Sequence, residues 1–497
     1  MGVADRPAGV QTDARWLLTL VLALAALLGL RIAALSMNAT DLFFDEAQYW
    51  SWAQQPDVGY YSKPPLIAWL IAATTGVCGD GEFCVRLSSP IVHTLTALVV
   101  FLTGQRLYDT RTGVLSGLVF ATLPGVSVSA GIISTDVPLL LCWALALYAF
   151  VLMLETRSWW PALLLGGALG LGLNAKYAMA WFGLSVGIYL AVTPSARRLL
   201  GDARLYVALL IAAALIAPNI LWNLAHKFAT FAHTADNAKW HGSLINPLKA
   251  LEFVGAQFGV FGPILFAALM VLTWRAWRDG APEADRLLLS FALPVVVIIA
   301  GQALVSRAHA NWAAVSYVAA SVLVTASMIR ELDWKWLKGS LALHTVLVVA
   351  VAVAAMFAGR FALPSGVDPY ARTLGWRQLA AATRAEIAKA ARAGTPYAAV
   401  VADERSVTAE LIYYMRDERT PVLAWKAEPR PQDHFELTRP YTPAVAGPVV
   451  LVSLAAAPDH ITTRFSHARQ TAVVDIPAGA GKPRRITFFA LEGYTGK

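Results

Sequence analysis

The residues able to do acid–base or anion chemistry in this chain fall in a few short stretches. Asp45 and Glu46 stand side by side in Asp-Leu-Phe-Phe-Asp-Glu-Ala-Gln-Tyr-Trp, residues 41–50. If 44–54 is helical, neighbouring side chains diverge by about 100°, so the two carboxylates cannot share a face. Asp45 then lines up with Gln48 and Tyr49. One carboxylate can face a cavity while the other caps the helix N-terminus. The same spacing also suits two plain helix-start residues. Next comes Tyr60-Tyr61-Ser62-Lys63-Pro64-Pro65-Leu66. The double proline stops the preceding structure and pre-sets the first turn of the next helix. Lys63 is thereby held beside backbone N–H groups and the positive end of a dipole, an anion site suited to phosphate. A lysine snorkelling at an interface is the alternative, and the rigid Pro-Pro favours the anion site.

Further along, Ser134-Thr135-Asp136-Val137-Pro138 opens an apolar run, and as a lone residue Asp136 reads first as a helix cap. Asn174 and Lys176 lie between two closely spaced apolar runs, either as a polar turn or reaching toward the same cavity. Asn223 follows Trp222 and precedes His226, His233 and His241, a loop rich in hydrogen-bonding groups whose histidines lack metal spacing. Ser306-Arg307-Ala308-His309-Ala310-Asn311-Trp312 collects a guanidinium, an imidazole, an amide and an indole in one loop. An arginine can fork onto phosphate or carboxylate, and a Trp face can carry a sugar or a lipid head; an interface anchor is the equal alternative. No metal-type Cys/His cluster occurs, no cofactor is expected, and a divalent metal has no support in the residues.

The elements that must carry these groups are membrane helices. Of 497 residues, 57% are hydrophobic and 14% charged, against about 25% charged in an ordinary soluble domain. Mean hydropathy is +0.55. A disordered chain, a secreted disulfide mini-protein and a typical cytosolic enzyme are excluded. The net charge of +8 does not point to nucleic acid, because the basic residues sit between apolar runs, as topology requires. Seventeen tryptophans suit an interface belt. Apolar runs at 16–35, 88–105, 114–132, 137–154, 160–174, 177–193, 205–222, 253–273, 287–305, 312–329 and 340–360 predict about eleven spans. The shorter run at 64–78 reads as a helix at the interface or against the bundle.

Arg6 and Arg15 precede the first run with no small-residue cleavage site after it, so it reads as an anchor. Arginine is dense in alternate loops (Arg106, Arg111, Arg157, Arg197, Arg198, Arg204, Arg275, Arg278, Arg286 and Arg330) and sparse in the others. The positive-inside rule then puts the N-terminus in the cytoplasm and the tail outside. The chemistry-bearing residues all fall in the outward set. Cys78 and Cys84 share an outer loop and can pair or stay as free thiols. Cys142 sits inside an apolar run as a small core residue.

The expected division is a membrane domain over 1–360, with its first outer loop at 36–87, and a small soluble α/β domain over 361–497. Helices are predicted at 373–393 and 406–416, and strands at Tyr397–Ala402, Pro421–Trp425, Pro448–Leu454, Thr471–Ile476 and Arg485–Leu491. The tail carries no GxGxxG, P-loop or nucleophile elbow, so it reads as a scaffold or acceptor-docking module.

Phe44-Asp45-Glu46-Ala47-Gln48-Tyr49 followed by Tyr60-Tyr61-Ser62-Lys63-Pro64-Pro65-Leu66 resembles the bacterial members of the protein-mannosyltransferase-like family. These are membrane glycosyltransferases of the GT-C class, and they include the aminoarabinose transferases that modify lipid A. Ser134–Pro138, Pro218-Asn219-Ile220-Leu221-Trp222-Asn223, Arg307–Trp312 and the Gly375-Trp376-Arg377-Gln378-Leu379 start of the tail extend the likeness over nearly the whole chain. The resemblance implies a polyprenyl-phosphate-sugar donor, a glycolipid, glycan or protein acceptor, and inversion at the sugar carbon, in the bacterial inner membrane with the tail periplasmic. It makes Asp45 the catalytic base, with Glu46 beside it, and places Lys63 at the donor phosphate with Arg307 and His309 as further contacts. Tyr49, Tyr61, Asp136, Asn223, Asn311 and Trp312 are the expected substrate-binding residues.

Aminoarabinose transferases carry Glu before the lysine and Arg four positions after the first-loop aspartate's predecessor, where this chain has Ser62 and Gln48. That argues against a metal site built on the Glu and against aminoarabinose as the sugar. Protein mannosyltransferases carry His in place of Lys63 and a large luminal insertion that is missing here. A protein O-mannosyltransferase-type activity and a polyprenyl-linked sugar flippase are the rival readings. A flippase should show inverted repeats and ionisable residues near the midplane, and neither is evident.

Overall fold

The computed structural model describes residues 14–232, 245–306, 308–331, 333–361, 368–480 and 482–496. Arg6 of the sequence reading lies outside them. The chain divides into two compact units. One comprises Met1–Ser36, Lys63–Ile67 and Arg86–Ala352; the other comprises Met37–Ser62, Ala68–Val85 and Val353–Lys497.

The first unit is helical, and the protein is a polytopic membrane protein. Helices Ala14–Ser36, Glu82–Leu107, Asp136–Glu155, Ala203–Ala225, Glu283–Val305 and Trp334–Met356 are each long and apolar enough to cross a bilayer. They run from 20 to 26 residues, which at 1.5 Å per residue span about 30–39 Å, enough for the hydrocarbon core. All eleven expected runs contain helix, but fewer are single full-length spans: among the described residues six qualify, or seven with one bent pair. The 253–273 run is that pair, Pro247–Val260 and Pro263–Asp279, bent by 117°. Gly262 at the break has φ +98°, and a Cβ there would run into the His344 ring. Pro263 disfavours helical backbone at the residue before it, so the bend is written in Gly-Pro. The 114–132 run likewise breaks at Leu123-Pro124 into Thr110–Thr122 and Pro124–Ser129.

Packing follows from residue size. Trp143, Phe150, Phe182 and Phe291 form an aromatic core, with Trp143–Phe182 centroids at 5.2 Å and Phe182–Phe291 at 4.9 Å. On helix Trp160–Ala175, Gly166 and Gly170 face Ala203–Ala225 so closely that a Cβ on either would lie 2.6 Å from Ala208 O or Leu215 Cβ. Small residues four apart are how membrane helices approach backbone to backbone. Helix Asp136–Glu155 is enclosed by protein, whereas Ala203–Ala225 and Trp334–Met356 turn Leu209, Leu210, Leu221, Val346 and Val353 outward, as lipid-facing helices do.

The arginine-rich loops gather their charges onto partners. Arg330 Nη2 meets Asp285 Oδ2 at 2.5 Å, and Tyr108 donates to Asp285 Oδ1. Arg204 binds Asp202 and the carbonyls of Thr156 and Ser158. Arg111 lies over the Trp16 and Trp334 rings.

The second unit joins the first loop to the tail. Its five-stranded mixed sheet has the order β2-β1-β3-β5-β4, from β1 (Ala399–Ala402), β2 (Val422–Ala424), β3 (Val449–Ser453), β4 (Phe465–Ile476) and β5 (Arg484–Tyr494). β1 pairs in parallel with β2 and β3, and β5 runs antiparallel to β3 and β4. All five strands and both helices (Trp376–Arg392 and Arg405–Tyr414) lie where the sequence predicts them. β4 starts earlier than expected, because its first half, Ser-His-Ala-Arg-Gln, is exposed and polar.

The loop's helix Phe44–Ala53 packs on Arg405–Tyr414, with Trp50 edge-on to Tyr413 at 4.9 Å. Asp41 accepts from the backbone N–H groups of Trp376 and Arg377 and pairs with the Arg377 guanidinium at 3.0 Å. A loop carboxylate thus caps a tail helix that starts at Gly375 and has no side-chain cap of its own. Arg377 and Tyr414 both reach Glu82, and Tyr413 donates to Asp80 O. Cys78 and Cys84 form a disulfide across the same loop.

Trp52 stacks on Tyr60 at 4.5 Å, and the His434 ring stands edge-on to both. Burial holds the His434 imidazole neutral, down to about 3. The unfolded chain takes up a proton below about pH 6.5 while the folded chain does not, so stability falls as pH drops from about 6.5 toward 3, by at most about 1.4 kcal/mol per unit. His434→Phe is expected to flatten that acid-side loss; thermal melts of the purified protein between pH 4 and 7 check it.

Candidate active site

In the second unit the expected base has a partner from the tail. Asp45 is the second residue of helix Phe44–Ala53. Its Oδ1 meets Arg405 Nη1 at 2.8 Å, and the two side chains are 36% and 33% exposed. The same Nη1 donates to Gln48 Oε1 at 2.8 Å, and Gln48 Nε2 donates to Ser62 Oγ at 3.3 Å. Asp45 and Gln48, three apart on one helix face, therefore share one guanidinium. Its carbon also sits 4.7 Å from the Phe44 ring centroid.

Glu46 turns the other way. It is buried, and its Oε2 accepts from the backbone N–H of Phe43 at 2.9 Å, tying down the start of the helix. The divergence of adjacent helical side chains thus leaves one carboxylate half-exposed and commits the other to the cap. Tyr49 is buried against Trp52 at 5.1 Å. Tyr61 is buried and donates to Pro431 O at 2.7 Å.

In the first unit Lys63 is half-buried and directly precedes Pro64-Pro65 and the first residue of helix Leu66–Cys78, the setting expected of an anion site. Asp136 opens helix Asp136–Glu155. Its carboxylate does not cap that helix; Oδ1 meets Lys176 Nζ at 2.7 Å, and Oδ2 accepts from Asn311 Nδ2 at 2.6 Å. Three stretches far apart in sequence converge here on one carboxylate. Lys176, which the spacing left as either a turn or a cavity residue, is its counter-ion.

Asn311 and His309 are exposed and Trp312 half-buried, with the His309 and Trp312 rings edge-on at 5.2 Å. Asn223 is fully buried: its amide donates to Tyr177 Oη and Asn219 O, and its oxygen accepts from Thr230 N–H. It locks the end of helix Ala203–Ala225. His226 stacks on Trp222 at 3.9 Å. Arg307, His233 and His241 lie outside the described residues. Among the described residues no group of three or more His, Cys, Asp or Glu side chains is placed to hold a metal ion.

Asp403, Glu404 and Asp433 lie around Arg405 in the tail. Burial pushes each carboxyl up, and Arg405 pulls Asp433 back down. Sequence reading singled out none of them, nor Arg405, which directly precedes the helix predicted at 406–416.

A family model described as dolichyl-phosphate-mannose-protein mannosyltransferase matches residues 62–222. The lipid A galacturonosyltransferase RgtD of Rhizobium johnstonii is 38% identical over 82% of this chain and 84% of its own length. The chain belongs to this family. It is a GT-C membrane glycosyltransferase. The lipopolysaccharide core galacturonosyltransferase RgtA of the same organism is 31% identical over 53% of this chain and 52% of its own length. The crystal structure of ArnT from Cupriavidus metallidurans bound to undecaprenyl phosphate shares the fold, with a TM-score of 0.67 at 15% identity, covering 96% of this chain and 98% of that one.

In this family member the Asp136–Lys176 pair is a coupled unit. Lys176→Met leaves a largely buried carboxylate without its cation, at a cost of about 1–3 kcal/mol. Adding Asp136→Asn should recover part of that loss. Thermal melts of the single and double variants measure the coupling; additive losses would contradict it.

Proposed function

We propose that this glycosyltransferase moves a uronosyl sugar from a polyprenyl-phosphate donor to lipid A at the outer face of a bacterial inner membrane, with inversion at the sugar carbon. The observation that carries this reading is the 38% identity, over 82% of this chain and 84% of the relative, to a lipid A galacturonosyltransferase. The shared fold with a transferase crystallised with undecaprenyl phosphate supports the lipid carrier. The disulfide between Cys78 and Cys84 supports an outward first loop, since disulfides persist in oxidising compartments. Arginine-rich alternate loops support a cytoplasmic N-terminus and a periplasmic tail. The catalytic domain is 1–360 with its outer loop at 36–87, and 361–497 is the periplasmic α/β domain.

Asp45 takes the proton from an acceptor hydroxyl as its oxygen attacks the anomeric carbon from the face opposite the phosphate. The bond from that carbon to the phosphate oxygen breaks, and its electron pair leaves on the polyprenyl phosphate. Lys63 neutralises the charge that develops there, with Arg307 and His309 as further donors. Trp312 offers a sugar its flat face. Asn311 and Asp136 supply hydrogen bonds from one braced cluster, and Tyr49, Tyr61 and Asn223 hold the substrate surroundings in shape. Glu46 fixes the helix that presents Asp45.

With purified full-length protein, an undecaprenyl-phosphate galacturonosyl donor and lipid A, Asp45→Asn is expected to express normally and lose transfer, by about 100-fold or more. Lys63→Met is expected to lose transfer by a similar factor, and Lys63→Arg to keep part of it. Full activity in Asp45→Asn would remove Asp45 from the mechanism.

A further inference from the structure

We propose that Arg405 of the tail is the positioning residue for the Asp45 carboxylate, so that the tail domain completes the catalytic centre. The inference rests on the reading of Asp45 as the base.

Three contacts converge on one side chain. Nη1 of Arg405 pairs with Asp45 Oδ1 at 2.8 Å and donates to Gln48 Oε1 at 2.8 Å. The guanidinium carbon lies 4.7 Å from the Phe44 ring centroid. Phe44, Asp45 and Gln48 lie within the first five residues of their helix, so the guanidinium grips the end that aims the base. A single half-exposed ion pair holds a carboxylate weakly. A planar guanidinium fixed by an amide and a ring as well has little freedom left to lose.

The placement is also costly for the tail. Arg405 is the first residue of helix Arg405–Tyr414, where the helix dipole disfavours a cation. The groups that face it offset this cost: Asp45 from the loop, and Asp433, which lies close enough for Arg405 to lower its carboxyl. Gln48 is held in turn by Ser62, the residue directly before Lys63. The guanidinium is thus tied through two hydrogen bonds to the chain neighbour of the proposed phosphate ligand. Asp41, Glu82 and Asp80 of the loop anchor to the tail separately, so the domain contact does not depend on Arg405. Its removal should therefore disturb the base without detaching the domain.

The test uses the purified full-length protein with an undecaprenyl-phosphate galacturonosyl donor and lipid A, comparing Arg405→Ala, Arg405→Lys and Asp45→Asn. Arg405→Ala is expected to lower kcat by roughly 10- to 100-fold, with KM for donor and acceptor within about threefold and an unchanged melting temperature. Arg405→Lys should recover part of kcat, and guanidinium ion added at millimolar levels should restore activity to Arg405→Ala but not to Asp45→Asn. Wild-type kcat in Arg405→Ala, beside an inactive Asp45→Asn, overturns the inference and leaves the base reading standing. A raised KM with unchanged kcat also overturns it, since Arg405 would then bind substrate directly. A loss that follows the melting temperature and resists guanidinium overturns it as a folding effect. Full activity in Asp45→Asn brings down both readings.

Discussion

A bilayer offers an ionised side chain no water, so each charge on a spanning helix must sit at an end or meet a partner. That constraint organises the helical unit. Arg330, Arg204, Arg106 and Arg111 are spent on Asp285, Asp202, Glu155 and the Trp16 and Trp334 rings. The one carboxylate that opens helix Asp136–Glu155 is answered by Lys176 and Asn311 together. The same constraint leaves Asn223 no unsatisfied polar atom to spare: it spends its amide on Tyr177, Asn219 and Thr230.

The second unit solves a different problem. A short helix in a surface loop is marginal on its own, since nucleation is costly and ten residues give few hydrogen bonds. Helix Phe44–Ala53 is held instead by tertiary contacts. Asp41 caps a tail helix, Trp50 and Trp52 pack on Tyr413 and His434, and Arg405 grips the first turn. The loop that carries the proposed base is therefore folded by the tail. This gives a physical reason for a transferase to keep a domain that lacks any catalytic motif of its own.

Much of this is legible in the sequence because it is written in short-range signals. Hydrophobic runs mark the long helices of the membrane part, short β-like runs mark the five strands, and Pro-Pro after Lys63 marks a helix start. The break in the 253–273 run was also there to be read, as Gly262-Pro263, but the apolar residues on either side outweigh it in any hydropathy window. Short helices such as Ser316–Arg330, about 22 Å long at 15 residues, look like spans in sequence because burial inside protein and burial in lipid demand the same residues. What the sequence hides is pairing across distance. Asp136 looks like a cap until Lys176 and Asn311 reach it. Arg405 looks like a helix start until it meets Asp45, some 360 residues earlier in the chain, and no local pattern encodes that meeting.

Transfer of a uronosyl sugar to lipid A, as proposed, leaves a mass signature in the host. Mass spectrometry of lipid A from the host with this gene deleted, and with it restored, tests that most directly. Deletion is expected to remove the mass of one uronosyl residue from lipid A, and the restored gene to return it. Unchanged lipid A, with polyprenyl-linked sugar accumulating on the inner leaflet, would contradict transfer and point to translocation of the carrier instead.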